Sequence, residues 1–155
     1  MLNNTKVSEI MTHYVTTVTP NTLLGRVNEV FSKNDFHHLP VVEGETLVGI
    51  ITRQDVDRML RCVDLFRTEE NRLHNDKLFN SILAEEVMTS NPIIVAPNDT
   101  IGHAAVLFSE NKFHALPVVK DNKLMGMLTT FDLIDFAYNA QLKPVPVLEQ
   151  KHNSH

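Results

Sequence analysis

The chain has 155 residues, 43% of them hydrophobic and 21% charged, which suits one compact globular domain or two halves sharing a core. A net charge of −5 argues against a free-standing nucleic-acid binder, which needs dense positive charge, and the single cysteine, Cys62, excludes an internal disulfide or a zinc–cysteine cluster. No apolar run approaches the roughly 18 residues of a membrane span, and the polar stretch 1–6 has no secretory core, so the expected setting is the cytoplasm.

In chain order, residues 15–19 are short and β-branched and read as a strand. Pro20-Asn21-Thr22 then opens a helix on which Leu24, Val27 and Phe31 recur at helical spacing. Two apolar runs follow, 38–42 and 47–52, split by Glu43-Gly44-Glu45, and together they read as a hairpin. A closing helix starts after Thr52, with Val56, Met59, Leu60 and Val63 on one face and Cys62 expected to be a small buried residue. The stretch 63–83 reads as a linker of helical character with Leu73, Leu78, Phe79 and Ile82 as anchors. The order then repeats: a strand at 93–95, a helix opened by Pro97-Asn98-Asp99-Thr100, a hairpin over 115–119 and 124–129 turning at Asp121-Asn122, and a second closing helix. Lys143-Pro144-Val145-Pro146 cannot continue that helix, so 139–155 reads as a flexible tail.

This order reflects a duplication. Shifted by 77 positions, Met11-Thr12 falls on Met88-Thr89, Phe36-His37 on Phe113-His114, Leu39-Pro40-Val41-Val42 on Leu116-Pro117-Val118-Val119, and Gly49, Thr52 and Asp55 on Gly126, Thr129 and Asp132. About 19 of 45 aligned positions are identical without a gap, against roughly one in fifteen by chance. Each copy is a β-α-β-β-α unit of the α/β (α+β) class, marginal in stability alone. The copies are therefore expected to pack about a pseudo-twofold axis with two equivalent clefts. The expected division is a first repeat over 1–62, the linker 63–83, a second repeat over 84–138 and the tail.

Thr52 and Asp55, like Thr129 and Asp132, sit where a strand ends and a helix begins. Free N–H groups and the helix dipole there favour an anion such as phosphate, and an ionised Asp accepts hydrogen bonds from a ribose diol. Arg53 adds a cation that Thr130 does not match, so two such clefts would not bind alike. The competing reading is a capping box, in which Thr and Asp serve only the helix start.

The repeated set from Met-Thr through Phe-His, Leu-Pro-Val-Val and Gly-x-x-Thr-x-x-Asp resembles the CBS domain, present twice as a tandem pair, over about residues 7–138. The resemblance implies two CBS repeats forming a disk-like body whose clefts hold AMP, ADP, ATP or S-adenosylmethionine, with magnesium when the ligand is ATP. It assigns Thr16, Thr17, Val18, His38, Thr52 and Asp55 to the first site, to which Arg53 is added for its charge. Ile93, Ile94, Val95, Ala115, Thr129 and Asp132 are assigned to the second, to which Thr130 is added as the counterpart of Arg53. It further implies a homodimer and an effector protein as the read-out.

Neither a Gly-rich phosphate loop, a nucleophile elbow nor a His-Glu-x-x-His motif is present, so no catalytic residue is assigned. The eight histidines lack ligand spacing: His37 and His114 precede a strand at equivalent places and read as structural, and no metal site is assigned. The leading expectation is a non-catalytic regulatory module. The alternative is a ligand-free interaction module docking through the closing helices and linker.

Overall fold

The structure is a computed structural model that describes residues 4–65, 68–69 and 72–141. Its elements run α1 (Val7–Ile10), α2 (Leu24–Ser32), β1 (His38–Glu43), β2 (Thr46–Thr52), α3 (Arg53–Asp64), α4 (Arg72–Ser81), α5 (Ala84–Val87), β3 (Thr89–Ser90), α6 (Ile101–Glu110), β4 (Ala115–Lys120), β5 (Lys123–Thr129) and α7 (Thr130–Gln141). Under the shift of 77, α1 falls on α5, α2 on α6, β1 and β2 on β4 and β5, and α3 on α7. Helix α4 has no counterpart among the described residues; parts of the expected linker and nearly all the expected tail lie outside them.

Both hairpins form as their alternation requires. His38 pairs with Thr52 and Ala115 with Thr129, and each hairpin is irregular at the same place, Val41/Val42 and Val118/Val119. Asp121 and Asn122 both adopt positive φ, 51° and 62°, as a type I′ turn demands. The hairpins join as β1-β2-β5-β4, held by the Thr46–Lys123 pairing, a bond from Leu124 N–H to the Glu45 carbonyl (3.0 Å) and the Lys123–Glu45 ion pair (2.8 Å).

The expected first strands are not strands. Each reduces to one parallel bridge, Val18 with Val41 and Val95 with Val118. Val18 N–H donates to the Pro40 carbonyl (3.0 Å) and its carbonyl accepts from Val42 (2.8 Å); Val95 repeats this with Pro117 (3.0 Å) and Val119 (2.9 Å). Extending the ladder backwards needs an N–H from Pro40 or Pro117, and extending it forwards needs one from Pro20 or Pro97. Proline has none, so the ladder stops in both directions.

The segments ahead of each repeat cross over. Val7 and Met11 pack in the second core with Val95, Ala104, Phe108, Leu116, Val118 and Leu128. Ala84, with Phe79, Ile82 and Met88, packs in the first core with Leu24, Val27, Phe31, Leu39, Ile51 and Val56. Backbone bonds repeat the exchange: Val7 N–H to the Asp99 carbonyl (2.8 Å), and Ala84 N–H to the Thr22 carbonyl (2.8 Å). Thr12 bridges Met127 while Thr89 pairs with Ile50. Glycine makes this approach possible. A Cβ on Gly49 would meet Met88 Sδ at 2.4 Å, and one on Gly126 would meet the Thr12 carbonyl oxygen at 2.4 Å. Met11 and Met88 thus have packing roles, as the sequence suggested.

Helix α3 buries Val56 and Val63 as predicted, but Cys62 is exposed, because it lies off that face. Helix α4 packs on α2 and α3 through Phe79 and the buried Asn75, leaving the expected anchors Leu73 and Leu78 exposed. A third cluster of Ile50, Ala115 and Met127, with Val15 against it, joins the two halves.

Candidate functional site

The exchange of segments places the start of α3 beside the stretch that follows β3. Between them lies a cleft of about 730 Å³. His38, Ile50 and Thr52 enter it from the hairpin of the first repeat, and Arg53, Gln54 and Asp57 from the first turns of α3. Thr89, Asn91, Pro92 and Ile93 form the facing side. The loop between α6 and β4, with β4's first residue, closes the end through Asn111, Lys112, Phe113, His114 and Ala115, opposite His37. Ile50, Pro92, Ile93 and Ala115 give an apolar surface; Lys112 and Arg53 give a cationic one, with the imidazoles as polar groups beside them.

Thr52 caps α3 as its position before the helix requires. Its Oγ1 accepts from Asp55 N–H (3.1 Å), and Asp55 Oδ2 accepts from Thr52 N–H (2.9 Å). Thr129 and Asp132 do the same at α7, at 3.2 and 2.7 Å, with Thr129 Oγ1 also donating to Asp132 Oδ2 (2.9 Å). The capping box is therefore formed in both copies. It uses one carboxylate oxygen of each aspartate; Asp55 Oδ1 faces Arg58 Nη2 at 3.4 Å. Capping and ligand contact remain chemically compatible.

Arg53 is placed differently from a free phosphate clamp. Its Nη2 donates to the carbonyls of Phe31, Asn34 (2.9 Å) and Phe36 (3.5 Å), and its guanidinium lies over the Phe31 ring, 5.4 Å from the centroid. The side chain ties the end of α2 to the start of α3 while still lining the cleft. His38 is half-buried: burial holds its imidazole below the usual histidine range, His37 and His114 add to the effect, and Asp55 opposes it.

The two expected residue sets are mixed by the fold. His38, Thr52 and Arg53 of the first set meet Ile93 and Ala115 of the second in one cleft. Val18 and Val95 are buried in the two cores, Thr16 and Ile94 are exposed away from the cleft lining, and Asp55, Thr129, Thr130 and Asp132 lie outside that lining too. Thr17 lines a smaller hollow of about 280 Å³ with His13, Tyr14 and Glu45. His37 and His114, read from sequence as structural, are exposed on the cleft wall, where their place just ahead of β1 and β4 puts them. Sequence reasoning also passed over Gln54, Asp57, Asn91 and Lys112. The signal was their position within a few residues of a repeated motif, but only the crossover shows that they converge.

The cleft is not twofold symmetric in chemistry. The residues 77 positions away from Lys112, Arg53, Gln54 and Asp57 are Asp35, Thr130, Phe131 and Ile134. Cationic and polar groups on one side are replaced by a carboxylate, a hydroxyl and two apolar groups on the other.

Duplication, hairpin order and capped closing helices define a tandem pair of the type the motifs resemble, and the chain belongs to the CBS-domain family. The family model matches twice, over residues 7–61 and 84–139. Among solved structures, the chain is similar to the CBS domain pair of MJ0100 in complex with 5′-methylthioadenosine and S-adenosyl-L-methionine: 25% identity, TM-score 0.71, 88% of this chain and 98% of that one. It is similar also to CBSX2 of Arabidopsis thaliana in complex with AMP, at 28% identity and TM-score 0.71, over 88% and 98% of the two chains. Homoserine O-acetyltransferase of Methanohalobium evestigatum is 29% identical over 134 residues, 85% of this chain but 24% of that protein. The chain spans between about a fifth and a half of the first curated relatives it matches. No helix among the described residues is long and apolar enough to cross a membrane.

Proposed function

We propose that this chain is a non-catalytic regulatory module of the cytoplasm that takes an adenine nucleotide or related adenosyl ligand in the cleft between its repeats. One observation carries the reading: a cleft of about 730 Å³, within the range of small-molecule sites, has an apolar wall for a base and polar groups for a sugar and phosphate, contributed by both repeats. The similar pairs holding AMP, or methylthioadenosine and S-adenosylmethionine, support that ligand class. Thr52 and the α3 N-terminus face the sugar-phosphate, Ile50, Ile93 and Ala115 the base, and magnesium accompanies the ligand when it is ATP.

Such a ligand bridges the start of α3, the segment after β3 and the loop before β4, so it favours one arrangement of these elements. A homodimer and an effector protein read that preference. Thermal unfolding with AMP, ADP, ATP and S-adenosylmethionine tests the proposal. A ligand at 100 times its dissociation constant adds about 2.7 kcal/mol; unchanged unfolding across the panel refutes it. Light scattering of the same samples gives the oligomeric state.

A second reading, an interaction module without ligand, draws on α7, where Phe131 (74%), Ile134 (65%) and Tyr138 (62%) form an exposed apolar stripe. The equivalent stripe of α3 is Gln54, Asp57 and Arg61. Replacing Phe131 and Ile134 by their polar counterparts abolishes partner binding on this reading and spares it if the cleft alone governs the read-out.

A further inference from the structure

Three imidazoles line one cleft: His37 and His38 lead into β1, and His114 leads into β4 from the opposite wall. The other charged groups facing it are Arg53 and Asp57 from α3 and Lys112 from the loop before β4, with Asp55 close enough to act on His38. The facing segment of Thr89, Asn91, Pro92 and Ile93 brings no titratable side chain. Two permanent cations and three titratable imidazoles thus outweigh the single carboxylate in the lining. Because Asp35 and Thr130 replace Lys112 and Arg53 under the repeat, this excess belongs to one side of the molecule.

Resting on the nucleotide reading of this cleft, we infer that it selects a phosphate-bearing ligand over an uncharged adenosyl one, and that His37 and His114 take up protons as the phosphate enters. A phosphate dianion brought beside an imidazole favours the imidazolium. Lysine and arginine are already charged at neutral pH, so only imidazole, ordinarily titrating near pH 6.5, changes charge in response. His38 has a different part. Its burial, and then its imidazole neighbours, disfavour the charged form, so it is the least ready of the three to take up a proton. His37 and His114 are exposed and open to solvent protons.

The consequence is a pH-dependent affinity with a defined sign. Affinity tightens as pH falls from about 8 to about 6.5, by at most about tenfold per pH unit for each proton taken up. A phosphomonoester, with its second pKa near 6, stays mainly dianionic across that interval.

Titration calorimetry of the full chain at pH 6.5, 7.25 and 8 and fixed ionic strength, with AMP and with 5′-methylthioadenosine, tests this. The second probe keeps the nucleoside and lacks the charge. The expected result is tighter AMP binding as pH falls, with net proton uptake seen by repeating the titration in buffers of different ionisation enthalpy. Methylthioadenosine binds more weakly and without that slope. His37→Gln and His114→Gln each remove part of the AMP slope; both side chains are exposed, and the melting temperature checks that the variants fold. AMP affinity that is flat or falls with falling pH overturns the inference. So does methylthioadenosine binding as tightly as AMP at pH 6.5, although the nucleotide reading then survives. Failure of both probes to bind at every pH overturns the inference, and the nucleotide reading falls with it only when ADP, ATP and S-adenosylmethionine also leave unfolding unchanged.

Discussion

Replacing Gly126 by alanine puts a methyl group 2.4 Å from the Thr12 carbonyl oxygen and 3.1 Å from Met11 Sδ. That carbonyl belongs to backbone held by two bonds, Thr12 N–H to the Met127 carbonyl (2.9 Å) and Met127 N–H to the Thr12 carbonyl (3.0 Å). The segment must move away and weaken both. Overpacking typically costs about 1–3 kcal/mol, and each weakened bond adds up to about 1 kcal/mol. The lost freedom of the unfolded chain returns about 0.4–1 kcal/mol. The expected net loss is about 2–3 kcal/mol, a fall in melting temperature of about 5–10 °C for a chain of this size. Gly49→Ala is the internal control. Its nearest obstruction is Met88 Sδ at 2.4 Å, the far part of a flexible side chain, with backbone only at 3.0 Å. It loses about 1 kcal/mol, and Met88→Ala relieves part of that loss, whereas Met11→Ala does not rescue Gly126→Ala. Differential scanning calorimetry of the four single variants and the two double variants reads these differences. A Gly126→Ala protein as stable as the parent, or less affected than Gly49→Ala, refutes the account of how the crossing segments pack.

Thr52→Ala and Thr129→Ala each remove a helix N-cap acceptor and lower stability by about 1 kcal/mol in urea unfolding, but only Thr52→Ala weakens ligand binding, since Thr129 is outside the cleft lining. Gly25→Ala on α2 places its Cβ 1.9 Å from Asn80 Oδ1 on α4; adding Asn80→Ala removes the clash, and the double variant gains up to about 1 kcal/mol of helix propensity over the parent in the same assay. Glu29 is held at about 2, against an ordinary 4.5, by hydrogen bonds first from Lys33 and then from Arg26. Its folded value being depressed, the stabilisation is present above pH 4.5 and lost as pH falls through about 2. A carboxylate NMR titration finds that midpoint, and 1 M salt moves it upward.

Sequence reasoning reached the elements that local chemistry encodes. Thr52 and Thr129 stand before periodic apolar runs, so the closing helices and their caps were legible. The hairpins were legible from alternation and from Gly44 and Asp121-Asn122. The first strands failed because β-branching was weighed without asking which N–H groups could pair; Pro20, Pro40, Pro97 and Pro117 carried the answer. Cys62 failed because helix membership was read as burial although Val56 and Val63 mark a different face. Within the candidate site, His38, Thr52, Arg53, Ile93 and Ala115 were named, but as members of two separate sets.

The sequence by itself determined the duplication, the element order within each copy, the capped helix starts and the family, because these depend on residues close together in the chain. The tertiary structure alone decided which core each leading segment joins. Two copies of one pattern offer Met11 and Met88 equivalent surfaces at Gly49 and Gly126, and local periodicity is the same for either pairing. Packing of the whole chain, with α4 covering one half only, resolves that choice and sets His37, Lys112 and Thr52 around one cleft.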